Sequence, residues 1–113
     1  MRALLIALLI VLPSIGCGGG SGFERNDVRI MDVELTRLQS GARIITGRIE
    51  NGSPGDISGL QIQVSLFDGD NRRVDGMSIT VRNLEAGEVR AFREPVDSDF
   101  DVRGVRVRSL LFP

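Results

Sequence analysis

From Asp27 onward apolar and polar residues alternate with a period of two, and glycine, asparagine, aspartate and proline interrupt the alternation at short intervals. The clearest segment is ISGLQIQVSLFD (57–68). Leu60, Ile62, Val64 and Leu66 share one face and Gln61, Gln63 and Ser65 the other, as in a half-buried strand. DVRIMDVELTRLQ (27–39) also reads as a strand, and the adjacent Ile30 and Met31 predict a bulge that re-phases its faces. SGA (40–42) turns into a strand over RIITGRIEN (43–51), and GSPGD (52–56) is dense in turn residues. GDN (69–71) leads into RRVDGMSITV (72–81), where Met77, Ile79 and Val81 lie on one face. NLEAGE (83–88) is a connection with Leu84 as a plug beneath it, and VRAFREPV (89–96) is a strand whose Pro95 marks an end or an edge. VRGVRVRSLLF (102–112) closes the pattern, with Val105 and Val107 inward against Arg106 and Arg108. No stretch has a helical period. The expectation is an all-β fold, an antiparallel β-sandwich of about six to seven strands.

The first residues follow a different rule. After Met1-Arg2, Ala3 to Leu12 are unbroken apolar residues, a helix of about 15 Å at most, against a hydrocarbon core of about 30 Å. That is too short to span a bilayer and fits the apolar region of a signal peptide, which Pro13 then ends. Gly16-Cys17 follows, and Cys17 is the only cysteine in the chain. The segment resembles the lipobox of bacterial lipoproteins. That resemblance implies a diacylglyceryl group on the Cys17 sulfur, cleavage before Cys17, and acylation (palmitate or a similar chain) of the new amine. The alternative is an exported soluble protein with a spare thiol. GGGSG (18–22) composes a coil-forming tether with a reach of roughly 12 Å. The expected organisation is therefore a signal peptide over 1–16, lipidated Cys17 with its tether over 17–23, and one domain over 24–113. The implied location is the cell envelope, and Gly18, where an inner-membrane retention signal would have aspartate, favours by the same resemblance the outer membrane, facing the periplasm, if the envelope is Gram-negative.

Composition narrows the chemistry. Fourteen cationic residues, every one arginine, face fifteen acids, and there is no histidine. Nothing here is basic enough for a nucleic-acid partner. A lone cysteine makes no intramolecular disulfide, and no paired Cys/His spacing exists for zinc.

Three motifs in the middle of the chain, ITGRIENGS (45–53), VSLFD (64–68) and NLEAGEVRAFREPV (83–96), resemble the FxLYD family of bacterial extracellular domains. Gly47, Ile49 and Asn51 match its first strand end. Leu66, Phe67 and Asp68 match its Leu-aromatic-Asp triplet, with Phe67 in place of tyrosine and Val64 in place of phenylalanine. Leu84, Gly87, Glu88 and Phe92 match its last loop and strand. The resemblance implies an immunoglobulin-like sandwich in the cell envelope and brings no catalytic residues or cofactors with it.

Asp68, Asp70 and Asn71, and more so Asp97, Asp99 and Asp101, have the composition of a calcium loop. Counting from Asp97, however, the glycine falls two places late at Gly104, and Arg108 occupies the twelfth position. They read as a hairpin turn and a solvated acidic loop. Glu85 and Glu88 are the available acid pair, placed in a loop where solvated carboxylates are the rule. Asn51-Gly52-Ser53 matches a glycosylation sequon and reads as turn chemistry, and Arg72-Arg73 reads as a solvated turn. No catalytic, cofactor or metal residue is assigned. The expected function is a membrane-anchored envelope lipoprotein whose sandwich is a non-catalytic interaction module for another envelope protein. The alternative is a structural lipoprotein or small-ligand carrier.

Overall fold

The computed structural model describes residues 21–113. The expected signal peptide and Cys17 lie outside these residues. Seven strands follow one another: β1 (Ser21–Arg25), β2 (Val28–Arg37), β3 (Arg43–Asn51), β4 (Ile57–Phe67), β5 (Arg73–Leu84), β6 (Val89–Pro95) and β7 (Gly104–Leu111). They form two antiparallel sheets, in the orders β1-β2-β3-β6 and β5-β4-β7. β3 is flanked by β2, its neighbour in sequence, and by β6, which returns after the chain has visited the other sheet. β4 is likewise flanked by β5 and the late-arriving β7. This interleaving is that of an immunoglobulin-like sandwich.

The inward positions build the core. Ile30, Ile45 and Ile49 from one sheet meet Leu60, Ile62, Leu66 and Leu110 from the other, all fully buried. Each such side chain contributes about 1.5–3 kcal/mol of burial. Leu84 and Val102, also fully buried, close the two ends of the layer between the sheets.

Three local features differ from the sequence expectation or sharpen it. The domain does not begin at residue 24, because Ser21–Arg25 is already a strand, paired with β2. Its glycine and serine concealed it. What makes it a hairpin arm is the Asn26-Asp27 turn, with φ of 52° and 66°, the mirror-image geometry that suits twisted strands. Phe23 on this strand packs against the core. Residues 21–23 of the expected tether are thus part of this strand.

The bulge in β2 lies between Met31 and Glu34, one step beyond the Ile30–Met31 pair. Asp32 takes a φ of 58° there and holds an ion pair of 2.6 Å to Arg48. Its effect is the expected one: the inward set passes from Val28 and Ile30 to Val33. A second shift, opposite Gln63 and Val64, moves the inward set of β7 from Val107 to Leu110.

Arginines clip the two sheets together. Arg25 of β1 donates from Nη1 to the Leu110 carbonyl of β7 at 3.0 Å. On the opposite flank, Arg90 of β6 donates to the carbonyls of Arg82 and Asn83 on β5, each at 2.7 Å. At the other end Arg43 holds the carbonyls of Ser98 and Phe100, each at 2.6 Å. The planar guanidinium can serve two acceptors at once, so one side chain satisfies backbone groups that no strand partner reaches.

Candidate functional site

The residues singled out by the family motif do not converge on one site. Each holds a piece of backbone. Asn51 is fully buried at the end of β3. Its Nδ2 donates to the carbonyls of Gly55 (2.8 Å) and Leu84 (3.1 Å), and its Oδ1 accepts from the amide and hydroxyl of Ser53 at 3.0 and 2.7 Å. Its backbone is held as well, N–H to the Glu88 carbonyl and C=O from the Gly87 amide. One side chain thus locks the 52–56 loop to the 85–88 loop. The nitrogen that glycosylation would modify is enclosed and already used.

Gly47 lies inward on β3, directly opposite Phe92 on β6. A Cβ at position 47 would stand 2.5 Å from Phe92 Cζ, so the absence of a side chain is what lets the ring lie over this strand. Leu66 is core, whereas Phe67 faces outward beneath the guanidinium of Arg106, 4.5 Å from the ring centroid. Asp68 shapes the hairpin turn that follows: its Oδ1 accepts the amides of Asp70 and Arg72 at 2.9 and 3.0 Å. Those backbone donors, that of Arg72 foremost, hold the Asp68 carboxyl below its usual range. Gly87 adopts a φ of +79° in the 85–88 turn.

Several of the candidate acids are engaged by arginines and backbone donors. Glu88 is bonded to Arg90, at 2.9 Å and 3.1 Å, and accepts the Glu85 amide, so its carboxyl lies below its usual range, the Arg90 bond being the main cause. Asp101 is held by Arg103 at 3.0 Å and by Arg37 at 3.4 Å, and its carboxyl is lowered chiefly by Arg103. Among the described residues no three Asp, Glu, His or Cys side chains gather in the manner of a metal site. The Arg72-Arg73 pair divides. Arg72 returns to Asp68 and Asp70, while Arg73 Nε donates to the Ser65 hydroxyl at 3.0 Å.

One concavity stands apart from these structural roles. On the outer face of the β5-β4-β7 sheet an open groove of about 530 Å³ is lined by Gly59, Gln61, Thr80, Arg82, Leu111 and Phe112, with Leu60 and Pro113 at its margins. Cross-strand register makes it: Gly59 pairs with Arg82, and Gln61 has Thr80 on one side and Leu111 on the other. Gly59 supplies no side chain to the row, and Leu111, half exposed at 50%, supplies an apolar wall. Sequence reasoning passed over this groove. Its one signal was Gly59, a glycine inside an otherwise regular strand pattern.

Family models, curated protein sequences and solved structures give no match to this chain. The resemblance to the FxLYD family therefore rests on the motif residues alone.

Proposed function

We propose that this protein is a bacterial envelope lipoprotein, anchored by acyl chains on Cys17, whose sandwich is a non-catalytic module for binding another envelope protein. One observation carries the reading. The only thiol of the chain stands five residues after the unbroken apolar segment and four residues before the first strand of the sandwich. A cysteine so placed is an attachment point. Two or three acyl chains, each CH₂ contributing about 0.8 kcal/mol, hold a domain on a membrane where one chain holds it only marginally. The FxLYD-like motif residues belong to this reading as scaffold: Gly47, Asn51, Gly87 and Phe92 hold strands and turns in place.

The interaction role is supported by the groove on the β5-β4-β7 face, an apolar recess rimmed by Arg82, Gln61 and Thr80. Exposed apolar surface with a polar rim is the usual character of a docking site. The interior, by contrast, is filled by interlocking Ile, Leu and Val side chains, which weighs against a carrier of small apolar ligands.

A photo-crosslinking residue at Thr80, introduced in intact cells, tests this. The expected result is a single captured envelope protein in stoichiometric yield, lost when Gly59→Gln fills the recess. Recovery of the lipoprotein alone overturns the module and leaves a structural lipoprotein.

A further inference from the structure

The β strands give the sandwich two ends. At one lie the 26–27 turn, the 52–56 and 85–88 loops and the C-terminal end of β7. At the other lie the 38–42, 68–72 and 96–103 connections. β1 runs antiparallel to β2, so the chain enters the domain from the second end.

The distances are constraining. Ser21 pairs with Val33, four residues short of the end of β2 at Arg37, which is about 13 Å along a strand. Cys17 stands four residues before Ser21, and four residues of chain reach at most about 14 Å. A sulfur carried on this leash barely clears the end of β2. With its acyl chains in the hydrocarbon, the loops beyond Arg37 lie at headgroup depth, a layer of about 5–8 Å.

Those loops carry two of the exposed large apolar side chains, Phe100 at 52% and Leu38 at 39%. They belong to connected loops: Arg37 pairs with Asp101 at 3.4 Å, and Arg43, next to the Leu38–Ala42 turn, donates to the Phe100 carbonyl. Of the neighbouring cations, Arg37 and Arg103 share Asp101, and Arg72 pairs with Asp68 and Asp70. Arg43 spends its donors on the Ser98 and Phe100 carbonyls, while the exposed Asp97 and Asp99 leave this end with no net positive charge.

We infer that the 38–42 and 96–103 loops form a membrane-contacting end of the domain, with Phe100 and Leu38 resting in the lipid headgroup–acyl boundary. The inference rests on the lipid-anchor reading. It adds that the domain stands with this end down, held by apolar contact rather than by attraction to anionic lipid, and with the groove beside Gly59 and Leu111 turned away from the bilayer. The leash keeps the two side chains at the surface, so a contact too weak to bind a free domain is occupied here.

The test uses the mature, full-length protein purified from membranes, whose mass first establishes the acyl groups on Cys17. With that sulfur blocked, a single new cysteine, Asp99→Cys at this end or Ala86→Cys at the other, takes a fluorescent label. The protein is reconstituted in phosphatidylethanolamine–phosphatidylglycerol vesicles containing a shallow spin-labelled lipid. The expected result is quenching at position 99 about threefold stronger than at position 86, unchanged in phosphatidylcholine vesicles and reduced about twofold by Phe100→Ser. Equal quenching at the two positions, or stronger quenching at 86, overturns the orientation while the anchor stands. Loss of the effect without phosphatidylglycerol overturns the apolar basis of the contact. A bare thiol in the mass measurement overturns both the anchor and this inference.

Discussion

Asn51 and Gly47 show how much a single position determines here. Replacing Asn51 by alanine removes the side-chain donor from the buried Leu84 carbonyl and deletes the bonds to Gly55 and Ser53, which keep only each other. The expected cost is about 2–4 kcal/mol, since buried polar groups lose their compensation rather than merely a favourable contact. Urea denaturation of Asn51→Ala against Asn51→Asp checks the cause: the carboxylate keeps Ser53 but faces the Gly55 and Leu84 carbonyls with no donor, so it rescues little. At Gly47 the conflict is one of volume. Gly47→Ala drives a methyl into the Phe92 ring, an overpacking expected to cost about 1–3 kcal/mol. Phe92→Leu, which withdraws the Cζ end of the ring, should make the double variant more stable than the sum of the two single changes allows. Simple additivity in that cycle would mean the clash is not the source.

At the level of elements, this sandwich holds its turns and open edges with arginine and carboxylate rather than with a covalent bridge. Asp68, Asp75, Glu88 and Asp101 all have carboxyls held below their ordinary range, respectively by the Arg72 amide, the Ser98 hydroxyl, Arg90 and Arg103 in the leading place. A group whose folded pKa is depressed contributes stability above its unfolded pKa and loses it as pH falls through the folded value. Unfolding midpoints in urea should therefore be flat near neutrality and decline below about pH 4, where free carboxyls begin to protonate. Asp68→Asn isolates one contribution. Its amide oxygen can still accept the Asp70 and Arg72 N–H groups, so the turn survives, but the charge is gone. The variant should be less stable than the parent at pH 7, and the difference should narrow as the pH falls below about 4. A constant difference across that range would assign the role of Asp68 to geometry alone.

For the molecule as a whole, anchor and fold are separable in the proposed arrangement. Cys17 precedes the first strand by four residues. Cys17→Ala should therefore abolish labelling by a fatty-acid analogue and release the protein from the membrane fraction. A fragment starting at Ser21 should melt at the same temperature as the Cys17→Ala chain. Equal fatty-acid labelling of the parent and Cys17→Ala contradicts the attachment.

The parts of this protein legible in sequence were those governed by local periodicity. Alternation in 57–68 gave one choice of inward face, and Leu60, Ile62, Val64 and Leu66 occupy it, because a strand offers only two faces and water penalises the wrong one. Leu84 was recognisable as a plug for the same reason. Pro95 announced an edge, and β6 is one, since a residue without an N–H cannot serve two neighbours. The first strand escaped notice because Ser21-Gly22 has no apolar alternation to display. It exists because the Asn26-Asp27 turn folds it back, so that Phe23 finds the core and Ser21 finds Val33.

Tertiary structure alone decided the rest. Asn51 has the local chemistry of a turn residue, and only the 85–88 loop bonded to its backbone makes it a buried clasp. Gly47 and Phe92, forty-five residues apart, could become a pair only when β6 crossed from the other sheet to lie beside β3. The recess at Gly59 depends on which residues of β5 and β7 stand beside it, and register across strands is not written in any one of them. Sequence determines which side of a strand is wet; the order of strands, settled by how two sheets share one core, determines which distant residues meet.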